Sequence, residues 1–220
     1  MQHLRGTFRA CFSRRTRTQR FEVLYQRTGI EEGEKIVKMA KYIGFLRGIN
    51  VGGHKLIKMD DLREIFLSMG LSNVWTYIQS GNVVFTCEDS LTVSGAVKKI
   101  EKSVLEKFGY NVSVMIRTVA DLKNIILLNP FVQEENFDPS KMVAILLYER
   151  STETQIQKMK GIDYPPDKFQ IIDREVFVYC PNGFGRSKLY TNFSEKKMGV
   201  VGTARNWKTI TTLLGIAEKR

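Results

Sequence analysis

The chain has 220 residues, 43% of them hydrophobic and 26% charged, enough to bury a core of ordinary globular size as one large domain or two small ones. No run approaches the roughly 18 apolar residues of a membrane-spanning helix, the best being the strand-like Met142 to Tyr148, so a soluble protein without membrane partners is expected. Three cysteines, Cys11, Cys87 and Cys180, are an odd number at no metal-ligand spacing; this argues against a disulfide framework or a zinc site and points to a reducing, cytoplasmic location.

The net charge of +11 is unevenly placed. Residues 1–38 hold nine Lys or Arg against four Glu, and the remainder holds 25 against 19, so the globular part is only moderately basic. Arg5, Arg9, Arg14, Arg15, Arg17 and Arg20 lie in a stretch with no acid and no apolar period, which reads as a disordered basic tail or a transit peptide. A third reading places the true start at Met39, because Glu31-Glu32-Gly33-Glu34-Lys35 back-translates to a purine-rich stretch able to contain a bacterial ribosome-binding sequence.

From Lys41 to Asn50 an apolar run predicts a buried strand, and Leu62, Ile65, Phe66 and Met69 then recur at helical spacing over Met59 to Met69. Asp60 and Asp61 mark that helix's first turn and Gly70 its stop. Val74 to Gln79 and Val83 to Cys87 predict a hairpin turning at Ser80-Gly81-Asn82. A helix over Thr92 to Phe108 and a strand over Val112 to Arg117 complete a β-α-β-β-α-β unit.

After a linking helix near Ala120 to Leu128, the pattern restarts with a strand at Met142 to Tyr148 and a helix at Thr152 to Lys160. A second hairpin, Phe169 to Ile172 with Val176 to Cys180, turns at Asp173-Arg174. A weaker helix over Ser187 to Lys197, a brief strand at Val200 to Gly202 and an amphipathic final helix follow, the last opening at Thr203 to Thr209. The hairpins end alike, Asn82 to Cys87 beside Glu175 to Cys180, in keeping with a duplication whose matched cysteines are strand fillers. The expected fold is therefore α+β, with two tandem ferredoxin-like modules at 39–118 and 141–220, a linker at 119–140 and a C-terminal helix.

Four clusters of glycine and polar residues stand out from this framework. In Arg47-Gly48-Ile49-Asn50-Val51-Gly52-Gly53-His54-Lys55 a glycine-rich strand-to-helix connection could cradle an anion or simply be a tight loop. The nucleoside triphosphatase signature fails there, since His54 stands where Lys is required. Gln79, Ser80 and Asn82 flank a hairpin turn whose own chemistry explains most of them. Arg186, Ser187 and Lys188 follow a Gly-rich run, with Ser187 a candidate helix cap. Arg205 and Asn206 are placed at the start of the last helix, where an Arg calls for an acidic or anionic partner.

Taken together, Leu46 to Gly53, Tyr77 to Phe85, Gly185 to Leu189 and Ala204 to Thr209 resemble the bacterial domain of unknown function 1697 family, over Lys41 to about Gly215. The resemblance implies two ferredoxin-like modules and supplies no reaction, cofactor or catalytic residue, and residues 1–38 lie outside it. In that family Asn is also common at the position of His54, which argues against a catalytic histidine.

Three functions follow in order of support. The first is a binding module for a small anionic or phosphate-bearing ligand, held by Arg47, Gly48, Asn50, Gly52, Gly53, Gln79, Ser80, Asn82, Arg186, Ser187, Lys188, Arg205 and Asn206 converging from both modules. The second is RNA or single-stranded DNA binding on a sheet carrying Tyr42, Phe45, Trp75, Tyr77 and Phe85, although the third strand lacks the aromatic signature of that class. An enzyme ranks third, using His54, Ser187 with Lys188, or Asp60; no metal-ligand cluster is expected.

Overall fold

Each half of the chain lays down its strands in the same order. In the first, β1 (Met39–Leu46), β2 (Ser72–Tyr77), β3 (Asn82–Glu88) and β4 (Val114–Thr118) form an antiparallel sheet ordered β2-β3-β1-β4. In the second, β5 (Met142–Leu147), β6 (Lys168–Ile172), β7 (Glu175–Tyr179) and β8 (Gly202–Asn206) form another, ordered β6-β7-β5-β8. The helices are α1 (Met59–Ser68), α2 (Val93–Phe108), α3 (Val119–Leu127), α4 (Glu153–Lys160) and α5 (Trp207–Lys219). This computed structural model describes residues 39–220 apart from 89–91, 162, 188, 190–198, 200 and 220. The readings made of 1–38, the helix expected over Ser187 to Lys197 and Lys188 itself fall wholly or mostly outside the described residues. No helix among them is long and apolar enough to cross a membrane.

Period-two burial assigns the faces. Tyr42 and Leu46 on β1, Phe85 on β3 and Ile116 on β4 point toward α1 and α2, where Leu62, Phe66, Ile100 and Val104 close a first core. Residues between them in sequence, Ile43, Phe45, Val84 and Met115, point the other way. There they meet Leu122 and Ile125 of α3, Trp207, Ile210 and Leu213 of α5, and Ala144, Leu146 and Phe177 of the second sheet. One core is thus shared by both sheets and both sequence-adjacent helices. On the far side of the second sheet Leu147, Val176, Val178 and Met159 of α4 form a third cluster.

Local signals explain most boundaries. Thr118 caps α3 and Thr152 caps α4 through reciprocal bonds with Asp121 and Gln155, and Thr92 accepts from the Gly95 N–H at the start of α2. One boundary differs from expectation. Thr203 to Asn206, read from sequence as the opening of the last helix, is strand β8, paired with Val143 to Leu146, and the helix begins at Trp207. Hydrogen bonding to β5 overrides a stretch whose buried members, Gly202, Thr203 and Arg205, carry no apolar alternation.

Candidate functional site

The glycine-rich loop after β1 is shaped by turn chemistry. Val51 and His54 form an isolated bridge around Gly52 and Gly53, whose φ values of 57° and 78° suit a two-residue turn with both central residues left-handed. Asn50 ties the loop down, its amide donating to the Ile57 and Gln79 carbonyls at 2.9 and 2.8 Å while its Oδ1 accepts from the Ile57 N–H at 2.8 Å. Gly48, Gly52, Gly53 and His54 are exposed at the tip.

Gly81 answers to a different constraint. A Cβ there would lie 2.8 Å from the Leu46 Cβ and from the Ile49 side chain, so the β2–β3 turn is pressed against the end of β1. The Leu46 N–H donates to the Gly81 carbonyl at 2.8 Å.

Arg205 gathers these pieces. Its guanidinium donates to Asn82 Oδ1 at 2.5 Å, Thr203 Oγ1 at 2.7 Å, and the Ala204, Leu46 and Ser80 carbonyls at 2.8, 2.9 and 3.0 Å. The Phe45 ring lies 5.4 Å beneath it. Burial pulls its pKa down to about 10, with Tyr148 acting the other way, and it remains protonated at neutral pH. Three of these partners, Asn82 Oδ1 and the Leu46 and Ser80 carbonyls, belong to the opposite half, and all five are neutral oxygens in place of the acid or anion expected from sequence. Asn206 is exposed beside it.

Arg117 on β4 stands in the same position in the first half. It pairs with Ile43 of β1 as Arg205 pairs with Ala144 of β5, each three residues before its strand's last, and each arginine lies two residues before a helix. Arg117 Nη2 donates to the Leu147 carbonyl at 2.6 Å, as Arg205 Nη2 does to that of Leu46. Where Arg205 meets Asn82, the first residue of β3, Arg117 meets Glu175, the first of β7, at 3.9 Å. Both members of this ion pair are buried, and Arg117 Nε has no partner among the described residues.

Desolvation outweighs attraction in that pair. Burial pushes the Glu175 carboxyl above its ordinary range against the pull of Arg117 and Arg174, and burial, with Arg174, lowers Arg117 against the pull of Glu175, Asp121 and Asp173. The sign for stability follows from proton counting. Between the ordinary carboxylate pKa and the raised folded value the native state holds a proton that the unfolded chain has lost, so stability falls as pH rises through that window. Below it the two states are equally protonated, and above it the full cost of a buried carboxylate is present. Glu175→Gln is expected to remove this decline, its advantage over the natural residue growing from near zero at acid pH to a plateau. Urea titrations at a series of pH values check this, and parallel curves for the two proteins would refute it.

Beside these arginines lies a cleft of about 400 Å3, lined from the first half by Glu101 and Ser113 and from the second by Tyr148, Glu149, Arg150, Thr152, Gln155, Gly199 and Val201. The Tyr148 hydroxyl is shut off from solvent, with the Ser113 side chain as its polar neighbour. Burial, reinforced by Glu101, pushes its pKa above that of an ordinary tyrosine, against Arg47, Ser113 and Arg205. Glu101 Oε1 accepts from the Val114 N–H at 2.8 Å, and Arg150 is held by Asp173 at 2.6 Å.

Arg186 and Ser187 lie elsewhere. Their loop is anchored where the Cys180 N–H donates to the Lys141 carbonyl, at the start of β5 and so at the far end of that strand from Leu147. Arg186 lines a separate open cleft of about 610 Å3 with Asp163, Tyr164, Asp167 and Asn182. Ser187 is buried and accepts from the Cys180 thiol at 3.3 Å. The structure therefore brings together Asn50, Gln79, Ser80, Asn82 and Arg205, places Arg47 where its charge acts on Tyr148, and leaves Arg186 and Ser187 apart.

The aromatic residues considered for nucleic acid are largely enclosed. Tyr42, Phe45 and Phe85 are buried, two under α1 and α2 and one in the shared core, so neither face of the first sheet is open for base stacking. Trp75 is exposed, with the Arg63 guanidinium 5.9 Å over its ring.

Comparison with known proteins places the chain in a family. Residues 39–177, from β1 into β7, match the family described as "Protein of unknown function (DUF1697)". The chain belongs to the DUF1697 family. A solved structure of the conserved bacterial protein SP0830 from Streptococcus pneumoniae is similar to this DUF1697 chain at a TM-score of 0.59 and 19% identity, covering 82% of this chain and 99% of that one. That likeness concerns the fold alone, and no curated protein matches the chain.

Tyr148, Glu101, Ser113 and Arg117 were not singled out from sequence. The available signal was the repeated placement of an arginine two residues ahead of an amphipathic helix, Arg117-Thr118 and Arg205-Asn206.

Proposed function

We propose that this DUF1697 protein is a binding module that holds a small, polar, uncharged organic molecule in the cleft between its two halves. The observation that carries this reading is the cleft itself, about 400 Å3 between the two halves, with Ser113 and Tyr148 in its lining and Glu101 and Glu149 beside them. Ser113 is exposed in the cleft with a hydroxyl able to donate and accept, whereas Thr152 and Gln155 are engaged with each other and with the Gly199 carbonyl. Glu101 and Glu149 disfavour an anion at this place, and Arg205 is spent on oxygens of the protein. The anionic or phosphate-bearing ligand expected from the basic loops is therefore the competing class. Small molecules commonly bind between modules, and we read residues 39–118 and 141–220 as two copies of one ferredoxin-like module, acting in the cytoplasm. The shared strand order, the equivalent arginines and the helix following each arginine support that duplication.

A thermal-shift screen of the whole chain tests the reading, with sugars and nucleosides against inorganic phosphate, sugar phosphates and carboxylates. A ligand at a hundred times its Kd adds about 2.7 kcal/mol. The expected result is a rise of several degrees with a neutral compound, lost in Tyr148→Ala, which removes a side chain lining the cleft. No rise, a rise with anions alone, or an equal rise in Tyr148→Ala would each overturn the proposal.

A further inference from the structure

We infer that the two halves exchange arginines to set the walls of the junction cleft, Arg205 fixing the peptide that leads into Arg47 and Arg117 fixing the peptide that leads into Tyr148. This rests on the cleft being the binding site.

The two junction peptides are held in the same way. At Leu46–Arg47 the N–H donates to the Ser113 carbonyl of its own half at 2.9 Å, and the carbonyl accepts from Arg205 of the other half at 2.9 Å. At Leu147–Tyr148 the N–H donates to the Val201 carbonyl of its own half at 3.0 Å, and the carbonyl accepts from Arg117 of the other half at 2.6 Å. Ser113 and Val201, the two acceptors, themselves line the cleft. Arg47, whose N–H holds the cleft-lining Ser113, and Tyr148, itself in the lining, are thus counterparts on either side of a pseudo-twofold relation, and the peptide leading into each is held by a cation of the other half. Neither half can slide against the other without releasing one wall. A ligand that contacts both walls is consequently coupled to the register of the halves, and Arg117 and Arg205 are positioning residues for it.

The two holds are unequal. Among the described residues Arg205 has five oxygen partners, whereas Arg117 has one carbonyl within hydrogen-bond reach, a carboxylate at 3.9 Å and an unpaired Nε. The Tyr148 wall is therefore the more easily released.

Amide hydrogen exchange on the unliganded full chain tests the inference, since a hydrogen bond to a charged group is worth about 1.5–3 kcal/mol, or roughly tenfold or more in a local opening equilibrium. Arg117→Gln is expected to speed exchange at the Tyr148 amide by roughly tenfold while the Arg47 amide stays within about twofold. Arg205→Lys is expected to do the reverse. A merely structural role would raise both amides together. Parallel changes at the two amides, or no change in a folded variant, overturn the inference, and should Arg205→Lys fail to fold, the Arg117→Gln comparison decides alone. Because no ligand is used, a reciprocal pattern in a chain that binds nothing in the thermal screen would retain the exchange of arginines and discard the binding site.

Discussion

Arg205→Ala is expected to lower the unfolding free energy by about 2–4 kcal/mol, several buried acceptors losing their donor at about 1–3 kcal/mol each, offset in part by the release of a desolvated cation. The cost comes from the oxygens left behind. The Leu46 and Ser80 carbonyls and Asn82 Oδ1 lose their donor inside the contact between halves, and the Phe45 ring loses the guanidinium above it. Arg205→Lys should recover only part of the loss, because an ammonium presents its donors from one point and cannot span acceptors spread around a planar fork. Urea denaturation followed by circular dichroism measures both. A loss under about 1 kcal/mol for the alanine variant, the scale of a single ordinary hydrogen bond, would show that these contacts are incidental.

Gly81→Ala should cost about 2–4 kcal/mol through two additive strains. With φ at 73°, an L side chain meets the penalty of the left-handed region, and the new methyl would lie 2.8 Å from the Leu46 Cβ and the Ile49 side chain. Gly53→Ala is the control. Its φ of 78° carries the same backbone penalty, but a methyl there meets nothing within 4 Å, so about 1–2 kcal/mol is expected. Equal losses for the two variants, measured by the same denaturation experiment, would show that the close approach at Gly81 is relieved by a small shift of the loop.

The element order was legible because apolar residues mark it at the right periods. Leu62, Ile65 and Phe66 face one side of α1, and β5 carries its buried run from Met142 to Leu147. What was misplaced, expected at Val200 to Gly202 and found at Gly202–Asn206, was the strand whose inward positions are not apolar. In β8 the buried residues are Gly202, Thr203 and Arg205, and only pairing with β5 makes it a strand. The same reason hid the cleft. Glu101 comes from α2, Ser113 from the residue before β4, and Tyr148 from the residue after β5, so no local spacing joins them and only the meeting of the two halves does. Gly52, Gly53 and Asn50 were visible as a cluster, and their visibility reflects a turn and its staple. Sequence reasoning saw the residues that shape the backbone more clearly than those that shape the cavity.

The middle layer has a consequence for how the molecule comes apart. Ile43, Phe45 and Val84 on one side and Ala144, Leu146 and Phe177 on the other bury themselves in common, with α3 and α5 wedged among them. Melting either sheet would lay bare the greasy underside of its neighbour, an exposure that neither could tolerate in water. Denaturation is accordingly all-or-none for the described fold, and a fragment ending midway through the chain would be sticky.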